Sequence, residues 1–152
     1  MSPALSVYLA LSHLAGPLAP AILRRRLKQG KEDAARLGER LGRPGLARPA
    51  GRLVWIHGAS VGEAMSALPL AAALRERGAA ETVLITTGTV TGAARVAALA
   101  REQADGGILH QYVPVDAAPA VRRFLDHWRP DAAVWIESEF WPALMIATAQ
   151  RA

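Results

Sequence analysis

The chain has 152 residues, 51% of them apolar, which is enough to bury one core. It has no cysteine, which excludes disulfides, thiolate metal sites and a cysteine nucleophile, and its four scattered histidines form no close-spaced ligand pair, so no metal is expected. The net charge of +5 is not spread along the chain: ten Lys/Arg against three Asp/Glu fall between Arg24 and Arg52, leaving a net −2 elsewhere, so no nucleic-acid partner is expected.

Met1 to Leu23 contains no charged side chain. Leu5, Leu9, Leu14, Leu18 and Ile22 make it apolar enough to enter a bilayer, while Ser12, Gly16, Pro17 and Pro20 weaken it as a span. The basic tract follows this stretch rather than preceding it. That order does not suit a secretory signal; it suits a membrane-proximal collar and leaves the next domain on the cytoplasmic side. Residues 1–27 therefore read as an apolar amino-terminal helix and collar, spanning or lying on a membrane, with packing against a partner domain as the alternative. Residues 28–51, punctuated by Gly30, Gly42, Pro44, Gly45 and Pro49, read as a charged connector with a short helix within Glu32 to Leu41.

From Arg52 the pattern alternates. Leu53 to Ile56 is a predicted strand, Gly58 to Gly62 a tight loop, and Ala64, Leu68, Ala71 and Leu74 recur at helical spacing up to Gly78. Thr82 to Thr87 predicts a second strand, Gly88 to Gly92 a loop, and Ala93 to Ala104 a helix. Ile108 to Val113 predicts a third strand, Pro114 to Pro119 a loop, and Ala120 to Trp128 a helix. Ala132 to Ile136 predicts a fourth strand, with a last helix after Pro142. Four successive β-then-α units imply an α/β fold with a Rossmann-like parallel sheet and right-handed crossovers. The last helix runs out at Ala152, where a further strand is expected, so residues 52–152 read as an incomplete domain.

The loops at the carboxyl ends of such strands carry ligands. Glu63 falls in the first helical turn, where the helix dipole favours a carboxylate that can accept a proton. Gly58-Ala-Ser60-Val-Gly62 also satisfies G-x-S-x-G, the elbow of serine hydrolases, with Asp116 and His127 following in order; such an elbow normally comes after several strands, not the first. The loop is neither a Walker A motif nor a G-x-G-x-x-G fingerprint. Thr86, Thr87, Thr89 and Thr91 follow the second strand and are candidate helix caps. Glu137 and Glu139 lie beside Trp141 after the fourth, and in extended backbone they point the same way. His57 and His110, at strand positions, read as core histidines.

HGASVGE (57–63), TTGTVTG (86–92), HQYVPVD (110–116), RRFLDHWRPD (122–131) and WIESEFWP (135–142), in this order and spacing, resemble the amino-terminal half of 3-deoxy-D-manno-octulosonic acid (Kdo) transferases. The likeness extends back through GKEDAARLGERLG (30–42). It implies the amino-terminal half of a GT-B glycosyltransferase, the acceptor-side domain of an enzyme moving Kdo from CMP-Kdo onto the lipid A precursor (lipid IVA) by inverting displacement, without a cofactor. By the same resemblance Glu63 is the general base and Glu137 supports the transition state. Ser60, Gly62, Thr87, Thr89 and Glu139 belong to the acceptor site, and Arg24, Arg25 and Arg26 meet lipid phosphates. The implied partners are the lipid A precursor, the cytoplasmic face of the inner membrane, and a carboxyl-terminal GT-B domain holding the donor, without which these 152 residues are expected to be inactive. A serine hydrolase acting through Ser60, and a non-catalytic membrane-associated binding module, are the alternative readings.

Overall fold

A computed structural model describes residues 3–102, 106–136 and 140–151. In chain order the elements are α1 (Pro3–Leu14), α2 (Ala19–Lys28), α3 (Leu37–Arg40), β1 (Leu53–His57), α4 (Val61–Glu76), β2 (Thr82–Thr87), α5 (Val90–Glu102), β3 (Ile108–Tyr112), α6 (Ala118–Trp128), β4 (Ala132–Trp135) and α7 (Pro142–Ala149). They divide into two compact units. A sheet unit comprises Leu46–Val113 and Trp128–Glu139, and a helical unit comprises Met1–Gly45, Pro114–His127 and Phe140–Ala152.

In the sheet unit four strands pair in parallel in the order β3-β2-β1-β4. β1 and β2 are buried at every position, as continuous apolar runs flanked by crossover helices must be. On one face Val54, Ile56, Val83, Ile85 and Ile108 pack with Ala64, Ala67 and Ala71 of α4 and Val96 of α5. The small alanines let α4 approach the sheet closely. The other face carries Leu53, Trp55, His57, Leu84, Thr86 and Gln111, all buried, and the Trp128 indole N–H donates to Gln111 Oε1 at 2.7 Å. The strands match the sequence reading to within a residue or so. α5 starts at Val90, three residues early, because Thr89 caps it: Gly92 N–H donates to Thr89 Oγ1 at 3.1 Å.

The helical unit departs further from expectation. The single apolar helix expected within residues 1–27 is two helices, α1 and α2, separated by a turn over residues 15–18. Pro17 has no N–H to continue the first ladder, and Pro20 falls in the opening turn of α2, where its missing donor costs nothing. The tract expected as a charged connector is folded in as far as Gly45. Glu32 is buried and pairs with Arg26 at 2.6 Å and Arg40 at 3.2 Å, and Glu39 accepts two hydrogen bonds from Arg36 at 2.8 and 2.9 Å. Gly42 has φ +72°, and a Cβ there would fall 2.0 Å from the Ala120 carbonyl oxygen, so only glycine fits.

Asp116 ties this unit together. Its carboxylate accepts the N–H groups of Ala143 (3.1 Å) and Leu144 (2.8 Å), two of the orphan donors that open α7, and the Tyr8 hydroxyl of α1 at 2.6 Å. Burial first, then the bond to Asp116 and its charge, push the Tyr8 phenol up from 10.0 to about 12. A phenol raised on folding favours the folded state below pH 10, and that contribution is lost as pH climbs from 10 through about 12. In a Tyr112→Phe background, phenolate absorbance will place Tyr8 ionisation near 12; Asp116→Ala will lower it part of the way toward 10, burial being the larger cause. The same change will cost about 1–2 kcal/mol in denaturant melts through the lost cap.

Candidate functional site

Strand order reverses between β1 and β4, so the loop after β1 opens at the switch point of the sheet. That loop is fixed from three sides. Gly58 N–H donates to the Thr86 carbonyl at 3.1 Å, Ile136 N–H to the His57 carbonyl at 2.8 Å, and Gly88 N–H of the next loop to the Ala59 carbonyl at 3.2 Å. A Cβ on Gly58 would fall 2.9 Å from the Glu63 carbonyl carbon and 3.0 Å from Ala64 N. Glycine is therefore what lets the first turn of α4 close onto the end of β1.

Ser60 and Glu63 form a reciprocal capping box. Glu63 N–H donates to Ser60 Oγ at 3.2 Å, and Ser60 N–H donates to Glu63 Oε2 at 2.8 Å. Glu63 is half-buried, with Ser60, Val61 and Gly62 exposed around it. Its second oxygen, Oε1, makes no hydrogen bond among the described residues, and it is the group at this loop that can take a proton. Gly62 borders open space, with no heavy atom within 4 Å of where a Cβ would stand.

The other expected site residues fall into different settings. Thr89 is exposed and caps α5. Thr87, expected at the acceptor site, is fully buried, its Oγ1 3.0 Å from His110 Nε2, and so belongs to the polar interior of the sheet rather than to the open loop surface. His57 is also interior: its Nδ1 lies 2.9 Å from Thr86 Oγ1, which accepts the Trp55 indole N–H at 2.8 Å. Trp55 and Trp135 meet edge to face at 4.7 Å beneath the loop. Glu137 and Glu139 lie outside the described residues. Arg24 and Arg25 are exposed at the end of α2, whereas Arg26 is drawn back onto Glu32. Val61 and Val90 were not singled out from sequence; they open α4 and α5 with side chains 38% and 37% exposed and give the loop edge an apolar lip.

A triad through Ser60 is not assembled from the expected partners. The Ser60 hydroxyl serves the backbone of Glu63, and Asp116 is committed to the start of α7 and to Tyr8. Among the described residues no three His, Cys, Asp or Glu side chains converge to hold a metal ion.

A family profile described as 3-deoxy-D-manno-octulosonic-acid transferase (kdotransferase) matches residues 35–152. A probable mitochondrial 3-deoxy-D-manno-octulosonic acid transferase of Arabidopsis thaliana is 38% identical over 141 residues, covering 93% of this chain and 31% of the relative. The 3-deoxy-D-manno-octulosonic acid transferase of Rickettsia bellii is 36% identical over 146 residues, 95% of this chain and 34% of the relative. That of Bordetella pertussis is 40% identical over 111 residues, 71% and 26%. The chain thus spans about a third of the length of the curated relatives it matches.

The loop geometry separates two glycines that sequence treats alike. Gly58→Ala will destabilise the chain by roughly 1–3 kcal/mol through overpacking against the helix start. Gly62→Ala will leave stability unchanged or raise it by up to about 1 kcal/mol. Urea melts of the two variants will read the difference.

Proposed function

We propose, starting from the fact that this chain belongs to the 3-deoxy-D-manno-octulosonic-acid transferase family, that it is the acceptor-side domain of an inverting Kdo transferase with Glu63 as its general base. The supporting observation is a carboxylate at the switch-point loop that holds its own helix start with one oxygen and leaves the other open. Glu63 takes the proton of a sugar hydroxyl on the lipid A precursor. The hydroxyl oxygen attacks the anomeric carbon of Kdo, and the bond to CMP breaks with its electron pair leaving on the phosphate. Capping fixes the carboxylate before the acceptor arrives, so little reorientation is needed when the proton moves. Glu137 and Glu139 supply negative charge beside the developing oxocarbenium ion and the acceptor. On this reading CMP-Kdo is held by a second GT-B domain outside this chain, which spans about a third of the length of its relatives.

The capping box makes a clean test possible, because glutamine can replace glutamate in it but cannot act as a base. With the remaining domain of a relative joined to the chain, Glu63→Gln will melt like the parent, and its kcat for Kdo transfer from CMP-Kdo to lipid IVA will fall by about 10²–10⁴. Unchanged kcat would refute the assignment. The 152 residues by themselves will transfer no Kdo, read by mass spectrometry of the lipid.

The same reading places the helical unit on the surface of a membrane. No helix among the described residues is long and apolar enough to cross one. Val7 and Leu11 on α1 and Ile22 on α2 are nonetheless 55–59% exposed, with Leu18 just before α2 at 62%, and Arg24, Arg25 and Lys28 follow them outward. Apolar side chains beside cations suit an anionic lipid interface. The chain will co-sediment with phosphatidylglycerol-containing vesicles at low salt and be released by high salt. The double change Leu11→Glu and Ile22→Glu will abolish the binding while leaving the circular dichroism spectrum intact.

A further inference from the structure

The helical unit contains a cavity of about 320 Å³ between α1, α6 and α7, at the lower end of the ~300–1,000 Å³ range of small-molecule sites. Leu9, Val121 and Ile146 form its wall, and His13, Arg122 and Arg151 stand at it with no Asp or Glu in the lining. The one hydroxyl of the lining is already satisfied: Ser12 donates to the Leu9 carbonyl at 2.7 Å. Arg151 is paired with Asp126 at 2.8 Å, while Arg122 is exposed and has no acidic partner among the described residues.

Further positive charge lies beside Arg122 but outside the lining. The Arg123 guanidinium donates to the Leu41 carbonyl at 2.6 and 2.9 Å, and burial, then the charges of Arg43 and Arg122, hold it below its usual value. An arginine without an acidic partner at the rim of the slot attracts an anion, and the apolar slot itself asks for hydrocarbon.

We infer that this cavity is a binding site for a single-chain anionic amphiphile, its alkyl chain lying along Leu9, Val121 and Ile146 and its anionic head on Arg122. The site uses none of the groups assigned to Kdo transfer, so it stands or falls separately from that assignment.

Equilibrium dialysis of the 152-residue chain against radiolabelled dodecanoate, below its micellar concentration, tests it. One saturable site per chain is expected, weakened by salt, with dodecan-1-ol competing at least tenfold less well. Arg122→Gln will weaken dodecanoate about tenfold, the equivalent of ~1.4 kcal/mol. Ala147→Phe, which fills the slot, will abolish binding. Ile22→Glu and Glu63→Gln will leave it unchanged, separating the cavity from surface adsorption and from the transfer site. Non-saturating uptake, equal competition by dodecanol, or undiminished binding in Arg122→Gln would each overturn the assignment. The last two hold even if Ala147→Phe fails to fold by circular dichroism.

Discussion

The two hydrogen bonds exchanged by Ser60 and Glu63 fix the one carboxylate at the switch-point loop among the described residues. They depend on geometry inherited from the core. A parallel sheet sends every strand-to-helix loop to one edge, and the order β3-β2-β1-β4 puts its reversal beside β1. Gly58 allows the helix to begin within van der Waals distance of the strand end, and Ala64, Ala67 and Ala71 let the rest of that helix lie flat on the sheet. A bulkier residue at any of these points would displace the first turn, and with it the carboxylate. Placement of this carboxylate is in this sense a packing property: the side chain that bears the charge is oriented by residues with almost no side chain.

What could be read from sequence follows the range of the interaction. The strands were legible because burial on both faces demands an unbroken apolar run, and Leu53–His57 and Thr82–Thr87 supply one. The Ser60–Glu63 cap was within reach for the same reason, its partners being three residues apart. Thr87 and Thr89 show the limit. Two positions apart in one loop motif, one hydroxyl closes onto His110 from within the sheet and the other caps a helix in solvent, and only the ending of the strand between them decides which. Asp116 lay beyond reach altogether. It caps a helix that begins 26 residues later and receives a phenol 108 residues earlier, and no local pattern encodes either contact. Its place in a Ser-Asp-His order was a coincidence of sequence that the actual hydrogen bonds explain better.

The amino-terminal tract shows why net charge misleads when read as a single number. Its ten cations outnumber its acids by seven, yet Arg26, Arg36 and Arg40 turn toward Glu32 and Glu39 inside the helical unit. Taking Glu32 from water is costly, and two guanidiniums compensate it, so removing either would leave a buried charge short of its partners. The sorting follows helical geometry. In α2, Leu23 and Arg26 lie three residues apart on the inward side, while Ile22, Arg24, Arg25 and Lys28 face out. The outward cations also cluster at the carboxyl end of α2, where the helix dipole favours them. The outward charge of this helix is therefore three cations placed just after an exposed apolar stretch, and much of the remaining basicity of the tract is turned inward onto Glu32 and Glu39.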